Sequence, residues 1–266
     1  MISGKNFAVV LTIYVIFFPM HLCGDDASSS APLFRYVESR VPIIHYRPTA
    51  EEVNELLLAY SSIDDFKRDL ILAMQSECVI FQWEVTALLV GIAEHNYNEE
   101  EIYKYEKIKE IMLFHEIECE LICINRINID FLSDDTDDNI LPSMTVRASH
   151  PEMVLCLISY YEMSSLSDIV FENTFHHDQS VRAMAYRCMV YMNRYDKKFN
   201  IKMALQCLRR GLEDDAPFSI GAPRVKCYAV ATCLELGGWF HVLLWLHSPQ
   251  HRDKLLDIYC GRSKVS

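Results

Sequence analysis

Residues 99–127 read EEEIYKYEKIKEIMLFHEIECELICINRI, and this stretch predicts one long α-helix. Leu113, Ile117, Leu121 and Ile124 recur at helical spacing and form one apolar stripe. The side chains that form a second stripe, on roughly the opposite side, are Met112, His115, Cys119 and Ile122. A helix that is apolar on two faces is normally sandwiched between neighbouring helices. The stretch therefore predicts a layered fold in which several helices pack together.

Helical signals continue on both sides of this stretch. Thr49 and Glu52 have the spacing of a capping box, and Ser62 with Asp65 repeats the cap pattern. The apolar run 78–93 is long enough to favour a buried helix over a strand. Further helices are predicted near residues 151–162, 165–172, 179–193, 200–212, 223–236, 238–247 and 249–259. The predicted class is all-α, either stacked antiparallel helix pairs in a right-handed superhelix or an irregular helical bundle.

The two ends of the chain and one internal break suggest its organisation. Residues 1–24 carry a single cation, Lys5, before the apolar run 7–18, which is the pattern of a secretory signal peptide. That run is shorter than the ~20 residues that span a bilayer, so we expect no stable membrane insertion after cleavage. Residues 25–48 are expected to form an irregular arm, and 49–133 an N-terminal helical region. Residues 134–148, which begin DDTDDN, read as an acidic linker before a C-terminal helical region, 149–266.

Composition excludes several classes of function. The 266 residues are 51% apolar and carry 25 Lys+Arg against 37 Asp+Glu, a net charge of −12. Such a surface disfavours nucleic acid as a partner, because phosphate groups repel it. The chain contains no GxGxxG, GxxxxGK[ST], GxSxG or HExxH pattern, so it lacks the usual nucleotide, hydrolase and zinc-protease signatures. We predict no cofactor, and the sequence identifies no catalytic residue.

A short sequence echo lies in the C-terminal region. His177-Asp178-Gln179-Ser180-Val181-Arg182-Ala183-Met184-Ala185 is followed, 44 residues on, by Ala222-Pro223-Arg224-Val225-Lys226-Cys227-Tyr228-Ala229. Val and Ala recur at matching positions, and a cation follows each Val. The spacing fits the ~40–47-residue period of HEAT and armadillo repeats, and residues 150–236 resemble such a repeat. The second copy departs from the motif, since Ala222 stands in place of Asp, and the upstream half gives no clean third copy.

The resemblance implies stacked helix pairs whose concave face binds another protein. On that basis the candidate partner-binding cations are Arg182, Arg224 and Lys226. The aromatic segment Trp239-Phe240-His241 with Leu244 and Trp245 is either a C-terminal cap of the core or a binding patch, so Trp239 and Trp245 are added as candidates. Asp178, after the pair His176-His177, is expected to cap a helix.

One constellation has the residue types of a metal site. His115, Cys119 and Cys123 lie at i, i+4 and i+8 on the stretch quoted above, so their side chains share one side of a helix. Thiolates and imidazole are the ligands that zinc prefers, but a structural site needs four. The alternative is that these side chains pack against a neighbouring helix. Nine cysteines follow residue 24, and most are expected to be small buried apolar residues. An exported chain can also form one or two disulfides among them.

The expected function is that of an exported, periplasmic or extracellular, non-enzymatic protein that binds another protein. Acidic rims would select a partner with a basic surface, and an inhibitor or immunity-type role toward a toxin or hydrolase is one version. Two alternatives stay open. The first is a thiol- or metal-dependent hydrolase that uses the His115, Cys119 and Cys123 face. The second is a structural subunit of an envelope assembly.

Overall fold

A computed structural model describes residues 31–40, 49–94, 102–127, 149–217 and 223–247. These residues form twelve α-helices and no β-strand, which confirms the all-α class. The helices are α1 (Pro32–Arg40), α2 (Ala50–Leu58), α3 (Ile63–Met74), α4 (Val79–Glu94), α5 (Ile102–Met112), α6 (His115–Asn125), α7 (His150–Tyr160), α8 (Ser167–Asn173), α9 (Gln179–Tyr195), α10 (Ile201–Gly211), α11 (Val225–Leu236) and α12 (Trp239–His247). A 3₁₀ turn, Ser164–Leu166, precedes α8. The regular superhelix stays a prediction.

The chain divides into two compact units, Met1–Ile124 and Asn125–Ser266, called here the N-terminal and C-terminal units. The predicted acidic linker, the signal segment and the predicted helix 249–259 lie outside the described residues. Among the helices that are described, none is long and apolar enough to cross a membrane.

Helix α1 corrects the prediction of an irregular arm over residues 25–48. Pro32 occupies the first position of α1, where its missing N–H is not needed and its fixed φ suits a helix. Leu33, Phe34 and Val37 are buried. The Phe34 ring stacks on Phe81 of α4 with centroids 5.1 Å apart, so packing against the unit's core holds this helix in place.

Within the stretch 99–127 the described residues, 102–127, form two helices, so the prediction of one long helix is wrong. Helix α5 ends at Met112 and α6 begins at His115. At the break, the N–H of Phe114 donates to the carbonyl of Ile111 at 3.0 Å, a tight i to i−3 bond. The two-sided apolar pattern reflects this break, because Met112 is buried from α5 whereas the second stripe of α6 is only partly covered.

The local cap signals are confirmed. The Thr49 hydroxyl accepts the N–H of Glu52 at 3.3 Å, and the Glu52 carboxylate accepts the N–H of Thr49 at 2.8 Å. Ser62 accepts from the N–H of Asp65 at 3.2 Å. The Asp178 carboxylate accepts the N–H of Ser180 at 2.7 Å. Each bond satisfies a backbone donor that would otherwise be unpaired at a helix start.

Helix α9 is the centre of the C-terminal unit and packs against α7, α8 and α11. Two side-chain bonds tie it to its neighbours. The Tyr195 hydroxyl donates to the carbonyl of Ile158 on α7 at 3.0 Å, and the Thr232 hydroxyl of α11 donates to the carbonyl of Tyr186 at 3.0 Å. These bonds fix the helices that carry the candidate site.

Candidate functional site

Helix α12 exposes an apolar face, which is called here the tryptophan face. Its members are Trp239 (71% exposed), Val242 (42%), Trp245 (47%) and Leu246 (62%). They recur at three- and four-residue spacing, so they share one side of the helix. Scattered exposed apolar residues are normal, but a contiguous patch that contains two large aromatic rings is typical of an interaction site.

The other side of α12 anchors the helix in the core. Phe240, His241 and Leu244 are buried, and α12 packs against α10 and α11. His241 Nε2 lies 3.0 Å from the carbonyl oxygen of Leu234 on α11, so that ring nitrogen donates. The structure therefore supports the cap for one side of the aromatic segment, and binding by the other side stays a prediction. Phe240, His241 and Leu244 cap the core, while the two tryptophans point outward.

A glycine pair sets the direction of α12. Gly237 and Gly238 have φ values of +67° and +53°, a left-handed conformation that side chains with a Cβ rarely adopt. The N–H of Gly237 donates to the carbonyl of Cys233 and closes α11. This sharp connection turns the chain directly from α11 into α12, so that the tryptophan face is carried on a supported helix.

The chemistry of the tryptophan face suits burial rather than catalysis. Residues 239–247 read WFHVLLWLH and contain no Lys, Arg, Asp or Glu. The indole rings offer large, rigid surfaces with one N–H donor each, a combination that dominates the energetics of protein interfaces. Burial of this face by a partner lowers the free energy of the complex, because apolar surface is removed from water.

A second feature of the C-terminal unit is an open polar cleft of about 480 Å³, called here the His–Arg cleft. Its lining residues are Phe175, His176, His177, Arg182, Arg210, Glu213 and Asp214. The Arg210 guanidinium lies over the Phe175 ring, 4.6 Å from its centroid. Sequence reasoning missed both of these residues, because nothing local predicts that the turn after α8 meets the end of α10.

Arg182 holds this cleft together. Its Nε donates to Asp214 Oδ2 at 2.7 Å and its Nη2 to Oδ1 at 3.2 Å. Its Nη1 donates to the backbone carbonyls of His176 and His177 at 2.8 and 2.7 Å. Both charged side chains of the pair are about 15% exposed. With four internal bonds, the guanidinium works as a clamp between two loops and offers little to a partner.

The other two candidate cations share one carboxylate. Arg224 Nη1 donates to Asp215 Oδ1 at 3.2 Å, and Lys226 Nζ pairs with the same oxygen. The Lys226 hydrogen bond holds the pKa of Asp215 below its usual value. These three side chains are substantially exposed, so this cluster lies at the surface.

The two copies of the echo place similar residues in similar environments. Val181 and Val225 are fully buried, as are Ala185 and Ala229. The cations that follow the two valines, Arg182 and Lys226, pair with neighbouring carboxylates of one loop after α10. In a regular repeat, each cation would instead pair with the equivalent carboxylate of its own repeat. The small apolar positions match the resemblance, whereas the ionic contacts are not a simple repeat of one another.

The structure brings together two of the three candidate metal ligands. His115 Nε2 lies 3.6 Å from Cys119 Sγ, and Cys123 is exposed one turn further along α6. No group of three or more His, Cys, Asp or Glu side chains arranged to hold a metal ion occurs within the described ranges. The zinc site therefore has no geometric support in that part of the chain.

The other described cysteines are free thiols of two kinds. Cys188, Cys207 and Cys233 are buried, and burial raises the pKa of Cys188 and that of Cys233 to about 12. These three thiols behave as small apolar side chains, whereas Cys78, Cys156 and Cys227 are partly or fully exposed. The prediction that most cysteines are buried is therefore wrong for the eight described ones. The eight described cysteines form no disulfide with one another.

No protein-family model, curated protein or solved structure matches this chain.

Proposed function

We propose that this chain is an exported, non-enzymatic protein that binds another protein through the tryptophan face. The single observation that carries the proposal is the outward position of Trp239 and Trp245 on a helix whose opposite side is locked in the core. Export is the expectation from the signal pattern of residues 1–24.

The distribution of charge supports a partner with a basic surface. Residues 1–124 carry 20 Asp+Glu against 9 Lys+Arg, whereas residues 125–266 carry 17 against 16. The acidic excess of the chain thus belongs almost entirely to the N-terminal unit. A field of this kind acts over about one Debye length and raises the rate at which a basic protein arrives. The uncharged tryptophan face then supplies short-range affinity.

Because charge and apolar contact act at different stages of binding, they should affect different rate constants. Charge removed from the N-terminal unit should lower the association rate and its salt dependence, because long-range electrostatic attraction acts mainly on the rate of encounter. Removal of the indole rings should raise the dissociation rate, because desolvated anchors act mainly on the bound state.

The test begins with a photo-crosslinking amino acid at Val242, in the centre of the face, to identify the protein that contacts it in the native compartment. That protein is then purified and titrated calorimetrically against the wild type and the Trp239→Ala/Trp245→Ala variant. Leu58→Ala is the control, since it truncates an apolar side chain that is 73% exposed on α2 of the N-terminal unit.

We expect the double variant to bind about 1,000-fold more weakly, since two hot-spot tryptophans contribute about 2 kcal/mol each and every ~1.4 kcal/mol is tenfold in Kd. Leu58→Ala should change Kd less than about twofold. Equal affinity of the wild type and the double variant would refute the proposal. So would a loss of binding that Leu58→Ala reproduces, because that result would reflect nonspecific apolar adhesion.

A further inference from the structure

Three side chains on the first turns of α6 form a cluster that the proposed function does not use. Cys119 Sγ lies 3.6 Å from His115 Nε2. On the other side of the same ring, His115 Nδ1 lies 4.0 Å from Glu118 Oε2. His115 is 86% exposed and Cys119 is half-buried. The three residues are called here the α6 cluster.

The order of atoms in the α6 cluster suits proton removal from the thiol. The negative charge of Glu118, 4.0 Å from Nδ1, favours the tautomer that carries its proton on Nδ1, and in that tautomer Nε2 presents its lone pair toward Cys119 Sγ. The thiolate, not the thiol, is the nucleophile in cysteine chemistry, and an adjacent imidazole is the usual group that generates it. A sulfur–nitrogen distance of 3.6 Å lies within hydrogen-bonding range for sulfur.

The same helix contains an internal comparison. Cys123 lies one turn beyond Cys119 and is more exposed, and eight residues of helix place it about 12 Å along the axis from His115. Accessibility alone would make Cys123 the faster thiol. The imidazole would make Cys119 the faster one, so the two explanations predict opposite orders of reactivity.

We propose that Cys119 is a reactive thiol that undergoes exchange with positively charged aliphatic disulfides, with His115 as its base. The Cys119 proton moves to His115 Nε2, the sulfur attacks one sulfur of the disulfide, and a new S–S bond forms as the old one breaks. The leaving thiolate takes the proton back from the imidazolium. Cys119 is thereby oxidised to a mixed disulfide, and one half of the reagent is reduced to a free thiol.

The preference for a positive disulfide follows from the surroundings. Glu116 and Glu120 flank the cluster along α6, and Lys67 offsets only the first of them, at 3.8 Å from Glu116. The whole N-terminal unit has 20 acidic against 9 basic side chains. Negative potential raises the local concentration of a cationic reagent and repels an anionic one. Because the cluster is exposed, salt should reduce this preference.

The experiment uses the full reduced chain and two disulfides, cationic cystamine and anionic oxidised glutathione. Mass spectrometry resolves the modification of Cys119 from that of Cys123 over time. We expect Cys119 to react with cystamine about tenfold faster than Cys123, a factor below the 10²–10⁴ that buried general bases contribute. We expect oxidised glutathione to react more slowly than cystamine, with a ratio that shrinks as salt is added.

Three variants isolate the role of each group. His115→Ala should slow Cys119 to the rate of Cys123 without changing Cys123, and free imidazole should restore part of the loss. Glu118→Gln should alter the pH profile of the Cys119 rate, since Glu118 is a positioning residue. Cys123→Ser should leave Cys119 unaffected. A Cys119 rate no higher than that of Cys123, or one that His115→Ala leaves unchanged, would overturn the proposal.

Discussion

Replacement of Gly211 by alanine tests whether close packing around α9 holds the C-terminal unit together. A Cβ atom at this position would lie 2.6 Å from Cζ and 2.8 Å from Oη of Tyr186. It would also lie 2.9 Å from the Cβ of Ala229. Helices α9, α10 and α11 therefore meet at a point where only a glycine fits.

Two effects of the Gly211→Ala substitution oppose each other. Alanine is a better helix former than glycine by about 1 kcal/mol in a helix interior, and by less at the last residue of a helix, where Gly211 lies. Overpacking of a filled core costs about 1–3 kcal/mol. Tyr186 and Ala229 are buried and flanked by packed neighbours, so they have little room to move. We expect a net loss of about 2 kcal/mol in the free energy of unfolding.

The assay is hydrogen exchange resolved by peptide, because the chain contains two compact units and a single unfolding transition is not assured. Protection should fall in α9, α10 and α11 and stay unchanged in α1 to α4. The decisive comparison adds Tyr186→Leu, which removes both Cζ and Oη. In that background Gly211→Ala should cost about 1 kcal/mol or less, because the contact with the Ala229 Cβ is the only one of the three that remains. An equal loss of protection in both backgrounds would refute the packing argument.

Two further predictions concern the His–Arg cleft. Arg182→Met should lower the stability of the C-terminal unit by about 2–4 kcal/mol, because it leaves the carboxylate of Asp214 poorly exposed and unpaired. Arg224→Met at the exposed cluster should cost less than about 0.5 kcal/mol, and urea unfolding would compare the two. Burial, followed by the nearby His177, lowers the pKa of His176 in the folded chain. The unfolded chain therefore takes up a proton first as pH falls below about 6.5, so stability should decrease from pH 7.5 to pH 5, and His176→Asn should flatten the urea midpoint over this range.

Sequence patterns predict the helices of this chain well wherever the determining interactions are local. The capping side chains of Thr49, Ser62 and Asp178 lie within three residues of the N–H groups that they accept from. Apolar periodicity likewise identifies most helices of the C-terminal unit. These signals operate over one or two turns, so no knowledge of the rest of the fold is needed to read them.

The errors arise where distant contacts decide. Pro32 begins a helix because Leu33, Phe34 and Val37 find a buried surface on residues far along the chain. The break between α5 and α6 has a similar long-range partner, since Lys67 Nζ lies 3.5 Å from the centroid of the Phe114 ring. Periodicity reports that a face is apolar, but it does not report which neighbour covers that face or where the helix must end.

In the candidate site, too, the sequence predicts the local features but not those that depend on distant contacts. An aromatic run predicts burial or binding, but only the fold separates Phe240 and Leu244, which face inward, from Trp239 and Trp245. Similarly, the echo motif predicts that the cation after Val181 reaches a turn or a carboxylate. The identity of that carboxylate, Asp214, depends on a loop 32 residues away, which no spacing rule supplies.

The echo motif and the binding surface therefore have different roles in this chain. The motif residues Val181 and Ala185 are buried between helices, as are their counterparts Val225 and Ala229. Arg182 is paired with Asp214. A residue whose polar groups are satisfied internally has little left for a partner, because a new contact must first break the old one. Recognition must then come from positions that the packing leaves exposed. Among the described residues of the C-terminal unit, the largest exposed apolar side chains cluster on α12, so the binding experiments are directed at the tryptophan face and not at the cations.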